Sequence, residues 1–115
     1  EWPELLGAAW VWRQTFHPPP AELLVRVVGD HALTRGLKDF LVVDELYHNL
    51  WSSPTSIPLL FADSAEDGSK QQIAFASATS TGRVVYNALG HDRDSVTTEG
   101  HARFLQRAAN WCTLT

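Results

Sequence analysis

The apolar positions of this chain fall into short runs of four to eight residues, separated by glycine, proline and small polar residues. That rhythm predicts strands more often than helices. Leu23 to Val28 is β-branched and stops at Gly29-Asp30, Phe40 to Val43 forms a second run, and Ile57 to Phe61 a third. Gln71 to Ala78 alternates between apolar and polar, and Arg83 to Leu89 repeats the pattern after Ser80-Thr81-Gly82. Both read as strands. The segment from Trp10 to Phe16 predicts an extended stretch, which His17-Pro18-Pro19-Pro20 breaks. Ala62 to Lys70 carries the densest turn signal, His31 to Gly36 reads as a connection, and Asp44 to Ser56 as an irregular polar loop. Two helices frame these elements. Trp2 to Leu6 is short, with proline early where its missing N–H does no harm. Glu99 to Trp111 is the stronger, with Ala102, Leu105, Ala108, Ala109 and Cys112 at helical spacing on one face.

About five strands and one good closing helix fit an α/β sheet, yet a doubly wound sheet needs helices on both faces. The shortage predicts that covering elements lie outside these residues. At 115 residues the chain suits one domain, and its 44% hydrophobic content supports a packed core. The nine Lys and Arg residues are scattered in a chain of net charge −4, which argues against a nucleic-acid partner. The longest apolar run, Ala8 to Trp12, is far below the ~20 residues a membrane span requires, so a membrane role is not expected. A soluble protein follows, with the cytoplasm as the expected compartment. A single cysteine, Cys112, excludes an internal disulfide and a multi-cysteine zinc cluster. The chain begins at Glu1 and contains no methionine, which predicts a processed or excised portion of something longer.

Several pieces in order now resemble a known family. Trp2-Pro3-Glu4-Leu5-Leu6-Gly7, Phe16-His17-Pro18, Asp30-His31, Gly36-Leu37, Asp44-Glu45-Leu46-Tyr47, Gly82-Arg83-Val84-Val85-Tyr86, Leu89-Gly90-His91-Asp92 and Asn110-Trp111 together resemble the ThuA-like (trehalose utilisation) family. That family is related to the class I glutamine amidotransferases. The most specific part is Asp-Glu-Leu-Tyr followed at a distance by Gly-Arg-Val-x-Tyr-x-x-Leu-Gly-His-Asp. Members of the family are about twice this long, and many carry a Pro and a Trp where this chain has Ile73-Ala74-Phe75. The resemblance implies a flavodoxin-like, mostly parallel sheet of the amidotransferase type. The whole chain, residues 1–115, would then be the C-terminal portion of a single ThuA-like domain.

The residues with chemistry sit at strand ends, where ligands bind in open α/β sheets. Gly90 allows a sharp turn that would push His91 outward, and Asp92 could orient that ring. The resemblance implies His91 as a general base or ligand; a strand cap bonded to a loop carbonyl is the plain structural alternative. Asp44-Glu45-x-Tyr47-His48 supplies acids, a phenol and an imidazole, and extended backbone would put Glu45 and Tyr47 on one face with Asp44 on the other. A carboxylate here could instead pair with an arginine such as Arg83, with Tyr47 at the core edge. His17, fixed by three prolines, could reach the same cleft. His17, Glu45 and His91 have ligand character for a divalent metal, but no local signature such as His-Glu-x-x-His supports a metal site. Trp51, in a polar loop, is the tryptophan expected to touch ligand, while Trp2, Trp10 and Trp111 are expected in the core. His31 is expected to be solvated or capping, His101 exposed, and Cys112 a buried, inert thiol. No elbow cysteine or Gly-x-Ser-x-Gly is present, so the chain lacks an amidotransferase nucleophile.

The expected function is binding or processing of a carbohydrate-derived small molecule, a keto-sugar or disaccharide, as the resemblance implies. His91, Glu45 and Tyr47 would be catalytic, with His17, Asp44, Trp51, Gly90 and Asp92 at the ligand. The alternatives are a non-catalytic sugar-binding or structural module, and association with a first half or another chain that completes the sheet.

Overall fold

The computed structural model describes residues 2–113. In chain order the elements are α1 (Trp2–Leu6), β1 (Ala8–Ala9), β2 (Ala21–Val27), β3 (Phe40–Asp44), β4 (Trp51–Ser52), β5 (Ile57–Asp63), β6 (Lys70–Thr79), β7 (Gly82–Asn87), α2 (Arg93–Thr97) and α3 (Glu99–Thr113).

The larger sheet has five strands in the order β3-β2-β5-β6-β7, and every neighbouring pair is antiparallel. This corrects the expected flavodoxin-like, mostly parallel sheet. Parallel neighbours need a crossover of a dozen or more residues. Here residues 64–69 join β5 to β6, and Ser80-Thr81 alone join β6 to β7. Connections that short can only close hairpins. The longer link from β2 to β3 makes turns instead of a helix, anchored by buried Thr34, whose hydroxyl donates to the Val28 carbonyl at 2.5 Å. In that link the Leu33 N–H donates to His31 Nδ1 at 3.0 Å, so His31 caps the turn. Burial first, and then the nearby Arg35 charge, hold the His31 pKa below its usual value.

Two smaller elements replace irregular segments. β1 pairs with β4 through Ala8↔Ser52 and Ala9↔Trp51, and Phe16 bridges to His48. The expected extended stretch from Trp10 to Phe16 is instead a tight turn. Gln14 and Thr15 N–H groups both donate to the Val11 carbonyl, and Arg13 takes a positive φ of 69°. The tryptophans expected in the core are mostly outside it. Trp2 is 71% exposed and Trp10 42%, while Trp111 is packed against the core's margin. With a single long helix covering the sheet, the interior is filled by aliphatic residues of β2, β5 and β6, among them Val25, Leu59, Leu60 and Ile73.

That helix, α3, buries Ala108 as expected but is otherwise rotated from the expected face. His101, Phe104 and Ala108 are its buried residues, whereas Ala102 and Cys112 are exposed. Both the expected exposure of His101 and the expected burial of Cys112 are therefore corrected. Gly100 is what lets α3 approach so closely: a Cβ there would overlap Cβ and Cγ of Phe40 on β3. Alanine is ordinarily better than glycine by about 1 kcal/mol in a helix interior, and by less at Gly100, the second residue of α3. Phe40 Cβ is fixed to strand backbone and cannot yield, so overpacking of about 1–3 kcal/mol should prevail. Chemical denaturation of Gly100→Ala should show a net loss of stability; Gly82→Ala, with nothing near its Cβ, should not. No helix among the described residues is long and apolar enough to cross a membrane.

Candidate active site

β3 and β7 are the two edges of the sheet, yet their C-terminal ends meet. Four strand spacings would separate them by ~19 Å in a flat sheet. Residues 88–90 reach at most ~10 Å beyond β7, and a side chain with its hydrogen bond adds only a few more. The sheet therefore curls until its edges share one site. At that junction Gly90 has a φ of 117°, a conformation that side-chain-bearing residues rarely take. This turn carries His91 over the end of β3.

Asp44, the last residue of β3, is 1% exposed and holds the junction. Its carboxylate accepts N–H groups of Glu45 at 2.7 Å, Gly90 at 2.7 Å and His91 at 3.3 Å, and it also accepts the Ser95 hydroxyl. The next side chain, Glu45, points the other way and stands between two imidazoles. Glu45 Oε1 lies 3.1 Å from His91 Nδ1, and Oε2 lies 3.3 Å from His17 Nδ1. The glutamate is 13% exposed, whereas His91 and His17 are 43% and 35% exposed. One nearly enclosed carboxylate is thus flanked by two rings that reach solvent. His17 Nδ1 also donates to the Pro18 carbonyl at 2.9 Å. A carbonyl can only accept, so Nδ1 carries the hydrogen.

Aromatic residues form the rim. The rings of His17 and Tyr47 stack with centroids 5.5 Å apart, and Trp10 meets Tyr47 edge-on at 5.1 Å. Glu45, Tyr47, Tyr86, Asn87, Gly90 and His91 line an open cleft of about 390 Å³. Burial, and secondarily the neighbouring Tyr47, push the Tyr86 phenol above its usual pKa, which keeps it a hydrogen-bond donor. Among the described residues no set of three or more His, Cys, Asp or Glu is arranged to hold a metal ion.

Of the residues singled out from the sequence, His17, Glu45, Tyr47, Gly90 and His91 converge. Asp44 lies beneath them with its oxygens engaged by protein groups. Asp92 caps α2, accepting from Ser95 N–H at 3.0 Å, so the carboxylate beside His91 is that of Glu45. Trp51 pairs with Ala9 in β4, half-buried, and does not line the cleft. His48 is buried on the opposite side of the backbone from Tyr47, with Nδ1 donating to the Leu46 carbonyl and Nε2 accepting from Ser64. Arg83 stacks on Trp111 instead of pairing with Asp44 or Glu45. Sequence reasoning missed Tyr86, Asn87 and Trp10. Tyr86 was within the Gly-Arg-Val-Val-Tyr segment, whose strand alternation gave no sign of a site; Trp10 was assigned to the core.

A family profile for ThuA, described as trehalose utilisation, matches residues 1–112. The chain belongs to the ThuA family. Its fold is similar to the crystal structure of a ThuA-like protein from Parabacteroides merdae ATCC 43184, with a TM-score of 0.74 and 21% identity. That similarity covers 85% of this chain and 40% of the Parabacteroides protein, so the chain spans less than half of the relative's length. No curated protein matches the sequence. The ThuA pieces noted in the sequence are thus distributed over the elements that build the cleft: Phe16-His17-Pro18 before β2, Asp44-Glu45-Leu46-Tyr47 at the end of β3, and Gly90-His91 after β7.

Proposed function

We propose that this ThuA-family chain forms the acid–base part of a site for a carbohydrate-derived small molecule, an oxidised (keto) sugar or a disaccharide. The observation that carries the reading is Glu45 set between His91 and His17, with both rings opening toward solvent. In this reading His91 Nε2 takes a proton from carbon beside a carbonyl, or from a sugar hydroxyl. Glu45 offsets the charge that forms on the ring. Tyr47 and Tyr86 offer phenolic O–H groups to a developing oxyanion, the kind of arrangement that general acid–base catalysis requires. The mix of aromatic faces and hydrogen-bonding groups suits a polyhydroxylated ring, which has both an apolar face and polar edges. Because the chain spans 40% of the Parabacteroides protein, we take it as one portion of a ThuA-like domain. The exposed strip of Leu24, Leu41 and Val43 on β2 and β3 is apolar surface that a further part of such a domain could cover.

A thermal-shift titration of wild type and His91→Ala against sugars, keto-sugars and disaccharides tests the reading. A ligand of this class should raise the wild-type Tm with increasing concentration, and the shift should vanish in the variant. Stabilisation without any turnover would point to a sugar-binding module, and no stabilisation by any member would overturn the carbohydrate reading.

A further inference from the structure

The buried groups beneath the cleft form a continuous chain that ends at His91. Asp44 accepts the hydroxyl of Ser95, which is itself 1% exposed. Ser95 in turn meets His101, which is fully buried on α3. His101 Nδ1 lies 3.0 Å from the Ser95 carbonyl and 3.2 Å from its hydroxyl oxygen. Because the carbonyl can only accept, Nδ1 bears the hydrogen, and Nε2 then accepts from the Asn87 amide at 3.0 Å. The Asn87 side-chain oxygen is thereby turned to accept the Leu89 N–H at 3.2 Å. The network starts and finishes on the 87–91 segment, with Asp44, Ser95 and His101 buried and Asn87 half-buried at the cleft wall. No buried side-chain polar atom among the described residues lacks a partner.

We propose that Asp44 is a positioning residue, and that Asp44, Ser95, His101 and Asn87 together set the distance between His91 and Glu45. The inference rests on the acid–base reading of that pair. A carboxylate is suited to this place because both of its oxygens only accept, and everything around them donates: three N–H groups and one hydroxyl. One oxygen, Oδ1, accepts the backbone N–H of both Glu45 and His91 and so spans the gap, while Oδ2 accepts the Gly90 N–H and the Ser95 hydroxyl. A neutral amide could accept at one of these two positions only and would aim its own N–H at the Gly90 N–H, or, turned over, at those of Glu45 and His91. Buried donors without acceptors are expensive, so the 90–91 turn would move away from β3. Asp44 thereby acts on the site through the backbone while touching no ligand itself. This accounts for an acidic residue that lines the floor of the cleft with 1% exposure.

The test uses histidine ring-nitrogen NMR on the whole chain at one pH, with wild type, Asp44→Asn, Ser95→Ala and Glu45→Gln, and with folding verified by melting curves. In wild type His91 should show two well-separated ring-nitrogen signals, as expected of one fixed tautomer facing Glu45. Asp44→Asn should draw them toward their average while His17, on a different segment, changes much less; Ser95→Ala should do the same to a smaller extent. A merely structural role would lower the melting temperature and leave the His91 signals in place. If Asp44→Asn does not fold, Ser95→Ala decides the question alone. Folded variants with unchanged His91 signals would overturn the assignment. Glu45→Gln separates the two levels: if it leaves His91 unchanged, the pairing itself is absent and the acid–base reading falls with this inference. If it shifts His91 and the Asp44 and Ser95 variants do not, the positioning role alone is lost.

Discussion

Glu45→Gln should lower turnover of a sugar that the ligand panel identifies by about 10²–10⁴-fold, the usual contribution of a positioned acid–base group, with little change in Tm. Glutamine keeps the shape of the side chain and can still accept from one imidazole, and the other ring, partly exposed, can turn to water. What it removes is the negative charge beside a ring that becomes positive as it accepts a proton. His91→Ala should cost a comparable factor, because it removes the group that moves the proton. The informative measurement is the double variant. Residues acting as one unit are strongly non-additive, so Glu45→Gln with His91→Ala should be hardly slower than the worse single change. Two independent losses that multiply would mean that Glu45 and His91 serve the reaction separately. His17→Ala offers a graded comparison: its ring reaches the same carboxylate but is also held by the Pro18 carbonyl and by Tyr47. A smaller loss than for His91 is the expected order.

Much of this site was legible because its chemistry lies on short segments with strong local signals. Gly90 announced the turn that it makes, Pro18 to Pro20 announced a fixed His17, and the period-two logic of extended backbone put Glu45 and Tyr47 together. The sheet direction was misread for an identifiable reason. The turn signals at 62–70 and 80–82 were recognised, but their shortness, which demands antiparallel hairpins, was outweighed by the parallel sheet that the family resemblance implied. The Asp44 network was beyond local reasoning. It joins β3, β7, α2 and α3, and residues 46 or more apart in sequence come together only because the sheet curls. Asp92 shows the same limit on a smaller scale. Adjacent to His91, it invited a place at the ligand, orienting that ring, yet the start of the unforeseen helix α2 takes it as a cap.

Helix α3 gives the sharpest test of how sequence pattern and packing diverge. Its sequence offers two overlapping stripes: a small-residue stripe through Ala102, Leu105, Ala108, Ala109 and Cys112, and a second through His101, Phe104, Ala108 and Trp111, with Ala108 common to both. Counting apolar residues favours the first, since it contains no histidine. Packing selects the second, because Phe104 is the largest fully buried side chain of the described residues, while the histidine is made acceptable by Ser95 and Asn87, which satisfy both of its nitrogens. Phe104→Ala should therefore destabilise the protein by about 3–5 kcal/mol, on the order of 10–25 °C in Tm for a chain of this size. Ala102→Ser and Cys112→Ser, on exposed positions, should each stay within about 0.5 kcal/mol. Denaturant melts of the three variants measure this directly. A mild Phe104→Ala together with a costly Ala102→Ser would mean that the helix packs by the small-residue stripe, which would also remove His101 from Ser95 and leave Asp44 without the far end of its network.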